Sequence, residues 1–339
     1  MLFRSNEQVK KEENYVTLLN IKPVKRKKHI IIKWGYMRKI FYMFIWYLFV
    51  ICKLFALIWH HILPSKNKFG IFFKKKAENF LFFSPRVYKV SYIKKEVKKS
   101  AEPIRLFTED MVKLHASYLK PEGDKPFVIF FHGQSENITK WQKTFLFFKR
   151  LGYGALFLSY RGHWKSAGRP SEEGIYIDAK TAVEYLKKIG IKEENIILWG
   201  RSLGSAVAIE TALKYNVKAI ILESPIENIK QAALSIFARY IKIFKFILLR
   251  NFIKWLIESA DYIQKFANDE KIQNVKCPIL IMHAKNDEKI YYEQAVSLAD
   301  KNADAQLVLE EDGSHDSADW CYSYAEKFIE SLDKKECNF

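Results

Sequence analysis

Ile196-Ile-Leu-Trp-Gly200-Arg-Ser202-Leu-Gly204-Ser-Ala-Val-Ala208 decides the reading of this chain. An apolar run of strand character passes through a glycine-bounded turn into a small-residue helix. A turn that tight crowds the backbone, so side chains at Gly200 or Gly204 would clash. The serine between them is held strained and exposed at a helix N-terminus. A serine hydroxyl is a weak nucleophile until a base takes its proton, so the chemistry needs a histidine and a carboxylate to orient it.

After Ser202 the sequence holds two histidines, His283 and His315. His283 falls inside the apolar run Ile279–His283, where a strand would hold it within a sheet. His315 lies in the polar segment Glu310-Glu-Asp-Gly-Ser-His315-Asp, beyond the last apolar run, and is the expected base. Asp287 follows Met282-His-Ala-Lys-Asn at a strand end, where sheet-borne sites collect, and is the expected carboxylate. Glu223, just past Ala219–Leu222, is the runner-up, while Asp312 and Asp316 read as solvated loop acids. A developing oxyanion needs backbone donors. The N–H of Leu203 is one, and the N–H of Gln134 in Phe131-His132-Gly133-Gln134-Ser135-Glu136-Asn137 is the other. His132 is expected to brace that loop.

Outward from this motif, short strands and helices alternate. Val87–Tyr92, Arg105–Thr108 and Lys113–Leu119 read as early antiparallel strands. Phe127–Phe131, Ala155–Tyr160, Ile196–Trp199, Ala219–Leu222, Ile279–His283 and Gln306–Leu309 read as strands buried on both faces. Helices are expected at Lys140–Leu151, Ile175–Ile189, Ser205–Tyr215, Tyr291–Ala299 and Ser317–Leu332. That alternation means an α/β architecture, a mostly parallel sheet with helices on both faces.

The chain of 339 residues carries a formal charge of +18, which first points to nucleic acid. Residues 1–100 hold 23 Lys+Arg against 5 Asp+Glu, so they carry the whole excess and the remainder is balanced. Four cysteines without a CxxC pair exclude a disulfide framework and a zinc ribbon. H-E-x-x-H, Walker A and G-x-G-x-x-G motifs are absent, and neither a metal nor an organic cofactor is expected.

Within the basic region, Ile40 to Trp59 is apolar except for Lys53. As a helix it would be ~30 Å long, the hydrocarbon thickness of a bilayer. Residues 40–63 are therefore expected to be a single-pass anchor, between a basic segment 1–39 and a basic juxtamembrane linker 64–86. A buried or interfacial helix is the alternative. Residues 22–39 carry eight Lys/Arg and residues 64–83 carry five, which favours a cytoplasmic N-terminus and a catalytic domain on the opposite side. The expected partner of the lysine clusters is a lipid membrane rather than nucleic acid.

From about residue 104 to 332 the chain resembles the α/β-hydrolases, and specifically their Bem46-like branch. The resemblance is carried by the His132-Gly133 loop, the stretch from Ser159-Tyr-Arg-Gly to Glu173-Gly174, Gly200-Arg-Ser-Leu-Gly204, Glu223-Ser-Pro225, Cys277-Pro-Ile-Leu-Ile-Met-His283 and Gly313-Ser-His315. It implies an α/β-hydrolase fold with an eight-stranded sheet over residues 87–335 and a helical cap insertion at 224–276. It also implies a Ser–Asp–His hydrolase on Ser202, Asp287 and His315, commonly with an N-terminal membrane anchor. The His-Gly-Gln-Ser-Glu-Asn loop departs from the pattern, and Glu136 is expected to disfavour anionic substrates. The expected reaction is cleavage of an ester or thioester, with lipophilic acyl groups and amides in range. A peptidase of the same fold and a catalytically silent membrane scaffold are the rivals. Within the cap, residues 228–257 contain six basic side chains and no acidic one. They form either a helix packed on its own domain or an interfacial helix lying on anionic lipid.

Overall fold

The computed structural model describes residues 94–134, 136, 140–243, 266–316 and 319–336. The expected anchor 40–63, the flanking segments 1–39 and 64–86, the strand at Val87–Tyr92 and cap residues 244–265 lie outside the described residues. Among the described residues, no helix is long and apolar enough to cross a membrane.

A short helix α1 (Lys95–Ser100) precedes β1 (Glu102–Phe107), β2 (Lys113–Leu119), β3 (Phe127–Phe131), α2 (Gln142–Arg150) and β4 (Gly154–Ser159). Then come α3 (Glu172–Lys188), β5 (Ile196–Arg201), α4 (Leu203–Ala212), β6 (Ala219–Glu223), α5 (Ile229–Ile243) and the short α6 (Asn268–Lys271). The chain closes with β7 (Ile279–Ala284), α7 (Glu293–Ala299), β8 (Ala305–Glu310) and α8 (Tyr322–Glu336). The eight strands form one sheet in the order β1-β2-β4-β3-β5-β6-β7-β8. The pairs β1–β2 and β2–β4 are antiparallel, and the rest are parallel. Strand β1 lies at an edge, where Pro103 costs no ladder donor.

The strand period of two divides the core. Phe127, Ile129 and Phe131 of β3 face α3, α4 and α7, while Val128 and Phe130 face α2 and α8. Every residue of β3, β5, β6 and β7 is buried, the signature of strands covered on both faces. Helix α3 starts where Ser171 Oγ accepts from the N–H of Gly174 at 3.0 Å, with Glu172 and Glu173 in its first turn and Lys187 and Lys188 in its last.

This topology sends the loops after β3, β5, β6, β7 and β8 to one edge of the sheet. Sequential strands diverge to either side of β3, so the topological switch point of the sheet falls beside β3 and β5. The return turns lie at the opposite edge, among them the one at Gly190 (φ +91°), where a Cβ would meet nothing within 4 Å. Within the expected cap insertion, α5 begins by packing on the domain. Ile229, Ala232 and Ser235 are buried, and Ser235 Oγ accepts from Gln294 Nε2 of α7 at 2.8 Å.

Candidate active site

Ser202 is the turn residue between β5 and α4, at φ 50° and ψ −119°. A non-glycine residue there stores roughly 1–3 kcal/mol of strain, which the surroundings must hold. They do so through contact. A Cβ at Gly200 would lie 2.3 Å from the carbonyl oxygen of Gly204, and one at Gly204 would lie 2.0 Å from that of Phe131. The Ser202 N–H donates to the carbonyl of Glu223 on β6 at 2.9 Å. Ser205 donates twice to the Ser202 carbonyl, from N–H at 2.9 Å and from Oγ at 2.6 Å.

The loop after β3 runs against this turn. A Cβ on Gly133 would come within 3.4 Å of Ser202 Cβ and 2.7 Å of Glu136 Oε2. His132 Nδ1 donates to the Gly133 carbonyl at 2.7 Å. Burial and the nearby His163 push its pKa down to about 3, so it stays a neutral brace. His163, also buried, holds the next peptide, with Nε2 3.0 Å from the Gln134 carbonyl.

Asp287 sits in the turn after β7 with its carboxylate fully engaged. Oδ2 accepts from His315 Nδ1 at 2.7 Å and lies 3.3 Å from His283 Nε2. Oδ1 accepts the N–H groups of Lys289 at 2.8 Å and Ile290 at 2.9 Å. Burial alone would raise its pKa; hydrogen bonds from His283 and His315 outweigh that and hold the carboxyl well below the usual range. With Nδ1 committed to Asp287, His315 has Nε2 left for proton transfer. Asp316, next in the chain, pairs with Lys289 at 2.8 Å.

Two acids fall differently from their sequence reading. Glu223 is buried and bonded to Arg201 Nε at 2.7 Å and Trp199 Nε1 at 3.0 Å, so it does not orient a histidine. Glu136 is buried as well. It accepts the Gly133 N–H at 2.8 Å on Oε2 and pairs with Arg201 Nη1 through Oε1. Its charge is directed into the protein and compensated there, which removes the expected reason for disfavouring anionic substrates. Burial would lower the Arg201 pKa, but Glu136 and Glu223 hold it above its usual value.

The contacts of Arg201, His163 and His283 were not foreseen from the sequence. One signal for Arg201 was present. A guanidinium one residue past a fully apolar strand run has to be paired when buried.

These strands, crossovers and loops define an α/β-hydrolase. A family model described as Hydrolase_4, Serine aminopeptidase, S33 matches residues 123–272. Protein bem46 of Schizosaccharomyces pombe is 31% identical over 212 residues, covering 60% of this chain and 66% of that protein. A lysophosphatidylserine lipase, ABHD12 of Danio rerio, is 30% identical over 199 residues, covering 55% of this chain and 50% of its own length. The chain thus spans half to just under two thirds of these relatives. Among solved structures, an α/β-hydrolase from Vibrio vulnificus superposes with a TM-score of 0.62 at 20% identity, covering 76% of this chain and 93% of its own. An esterase from Pyrococcus furiosus gives 0.58 at 22%, covering 74% and 96%. At those identities the likeness is one of fold. In fold and in sequence likeness the chain is a Bem46-like α/β-hydrolase.

Proposed function

We propose that this chain is a membrane-anchored serine hydrolase that cleaves a carboxylic ester or thioester through an acyl-enzyme on Ser202. The observation that carries the reading is the 2.7 Å bond from His315 Nδ1 to the buried Asp287 carboxylate, at the sheet edge that also presents strained Ser202. His315 Nε2 takes the Ser202 proton as Oγ attacks the acyl carbon. The oxyanion is met by the N–H groups of Gln134 and Leu203. Collapse expels the alcohol or thiol, protonated by His315, and water then releases the acid by the same route reversed. Asp287 fixes the tautomer and stabilises the imidazolium.

Residues 40–63 serve as the anchor on this reading, with 1–39 cytoplasmic and the domain 87–335 on the other side. The lipase name of a relative supports an ester substrate, and a lipophilic acyl chain suits a membrane-held enzyme. A peptidase is the second reading, favoured by the description of the matching family model. Comparing kcat/KM for a matched acyl ester and acyl amide decides between them. The central test is labelling with a fluorophosphonate. Wild type is expected to label and Ser202→Ala to lose all labelling; labelling that persists in Ser202→Ala rejects the nucleophile. A wild-type chain that neither labels nor hydrolyses any ester is a scaffold.

A further inference from the structure

Arg201 is 1% exposed, and its guanidinium reaches the β3 loop, the end of β6 and the His315 loop. Its own residue is the chain neighbour of Ser202. Nε donates to Glu223 Oε1 at 2.7 Å, and the Glu223 carbonyl in turn accepts the Ser202 N–H at 2.9 Å. Nη1 pairs with Glu136, whose other oxygen accepts the Gly133 N–H of the β3 loop at 2.8 Å. Nη2 donates to the backbone carbonyl of His315 itself. The guanidinium carbon stands 4.8 Å from the centre of the Trp141 ring, at the start of α2. Three segments distant in sequence are thus joined through one planar group.

Charge compensation alone does not need this arrangement. The fork spends one donor on a neutral carbonyl, that of the candidate base, where there is no charge to balance. A guanidinium carries five N–H groups in a rigid plane and holds partners at fixed angles; an ammonium is a point charge that does not. We propose that Arg201 is a positioning residue that locks the His315 loop and the β3 loop in register with Ser202. The proposal rests on Ser202 and His315 acting as read above. Arg201 touches no reacting atom; it acts through the peptide of His315 and through Glu136.

The test uses the full-length protein in detergent, with a short-chain p-nitrophenyl ester as substrate. Arg201→Lys keeps the charge and loses the fork. Positioning predicts that it folds and loses ~30-fold or more in kcat with KM within about twofold, since small misplacements of reacting groups cost up to ~100-fold. Charge compensation alone predicts near wild-type kcat for Arg201→Lys, and that result overturns the proposal. Glu136→Gln is the second variant. The two donors sit on different oxygens, so an amide turns an NH2 group toward either the Gly133 N–H or Arg201. A kcat loss of ~10-fold or more is expected at unchanged KM and melting temperature. If Arg201→Lys does not fold, Glu136→Gln decides, and wild-type kcat in that variant overturns the proposal. Arg150→Gln, which loses a surface pair with Glu326 and the guanidinium over the Phe147 ring, both away from the site, serves as the control expected to match wild type. Ser202→Ala runs alongside. If it still turns over the ester, the functional reading falls and takes the proposal with it. If Ser202→Ala is dead while Arg201→Lys and Glu136→Gln are normal, the positioning role alone falls.

Discussion

Asp287 shows how one side chain is set for its task. Its four acceptor contacts come from two histidines and two backbone N–H groups. Asp287→Asn would turn an amide NH2 toward donors or force His315 into the other tautomer. We predict a fall in kcat of roughly 10³–10⁴ on a short-chain ester, with KM little changed. The same carboxylate has a pH signature. Its folded pKa is depressed below the reference value of 3.8, so its stabilising contribution is complete above that value and is lost as pH falls through the folded pKa. Below about pH 4 the gap in melting temperature between wild type and Asp287→Asn should therefore narrow as the pH falls further. A gap that widens on acidification would reject this account. Ser202, His315 and Asp287 were legible in the sequence as candidates because each follows an apolar run. His283 was read as a residue held in its strand, and it is fully buried there, yet its Nε2 also reaches Asp287. A contact made across a turn leaves no trace in hydrophobic periodicity.

Among the elements, the turn from β5 to α4 is the least forgiving. A methyl at Gly204 would clash with backbone of the β3 strand end, which cannot swing aside. Gly204→Ala is expected to cost at least ~3 kcal/mol in urea unfolding, among the largest single-residue effects. A second strut lies by the β1–β2 hairpin. Arg161 Nε and backbone N–H bind the fully buried Asp178 of α3 at 2.8 and 2.7 Å, while its Nη atoms grip Asp110 of the hairpin at 2.7 and 3.0 Å. Removing Asp178 leaves the buried Arg161 Nε and backbone N–H without acceptors while Asp110 still holds the Nη atoms, so Asp178→Ala should cost about 3 kcal/mol by the same measurement. Central strands were read from sequence almost to the residue, because burial on both faces makes them continuous apolar runs. Strand β1 was placed at Arg105–Thr108 but spans Glu102–Phe107, since an edge strand alternates in exposure and begins with Glu-Pro. Helix α1 was missed altogether. Its six residues bury Val97 alone, too little for a periodic signal. Arg201 illustrates the rest, for its partners Glu136, Glu223 and His315 lie 65, 22 and 114 residues away.

At the scale of the molecule, charge and chemistry are segregated along the chain. The whole excess of +18 lies in residues 1–100, ahead of a charge-balanced hydrolase domain. If residues 40–63 span a bilayer, the full-length protein should stay in the membrane pellet through both 1 M salt and alkaline carbonate and leave only with detergent, because burial of ~20 apolar residues is not screened by ions. Release by salt alone would mean that the lysines hold it peripherally. The domain is segregated too, in the other dimension. Every candidate catalytic group stands on loops at one edge of the sheet, and the turn at Gly190 stands at the other with open space around it. That turn is accordingly a place for a handle. An epitope or fluorescent reporter spliced in beside Gly190 would leave both chain ends and the reacting edge untouched, so the enzyme can be followed in a cell without altering what it does. An unchanged fluorophosphonate labelling rate in the tagged protein is the measure of success.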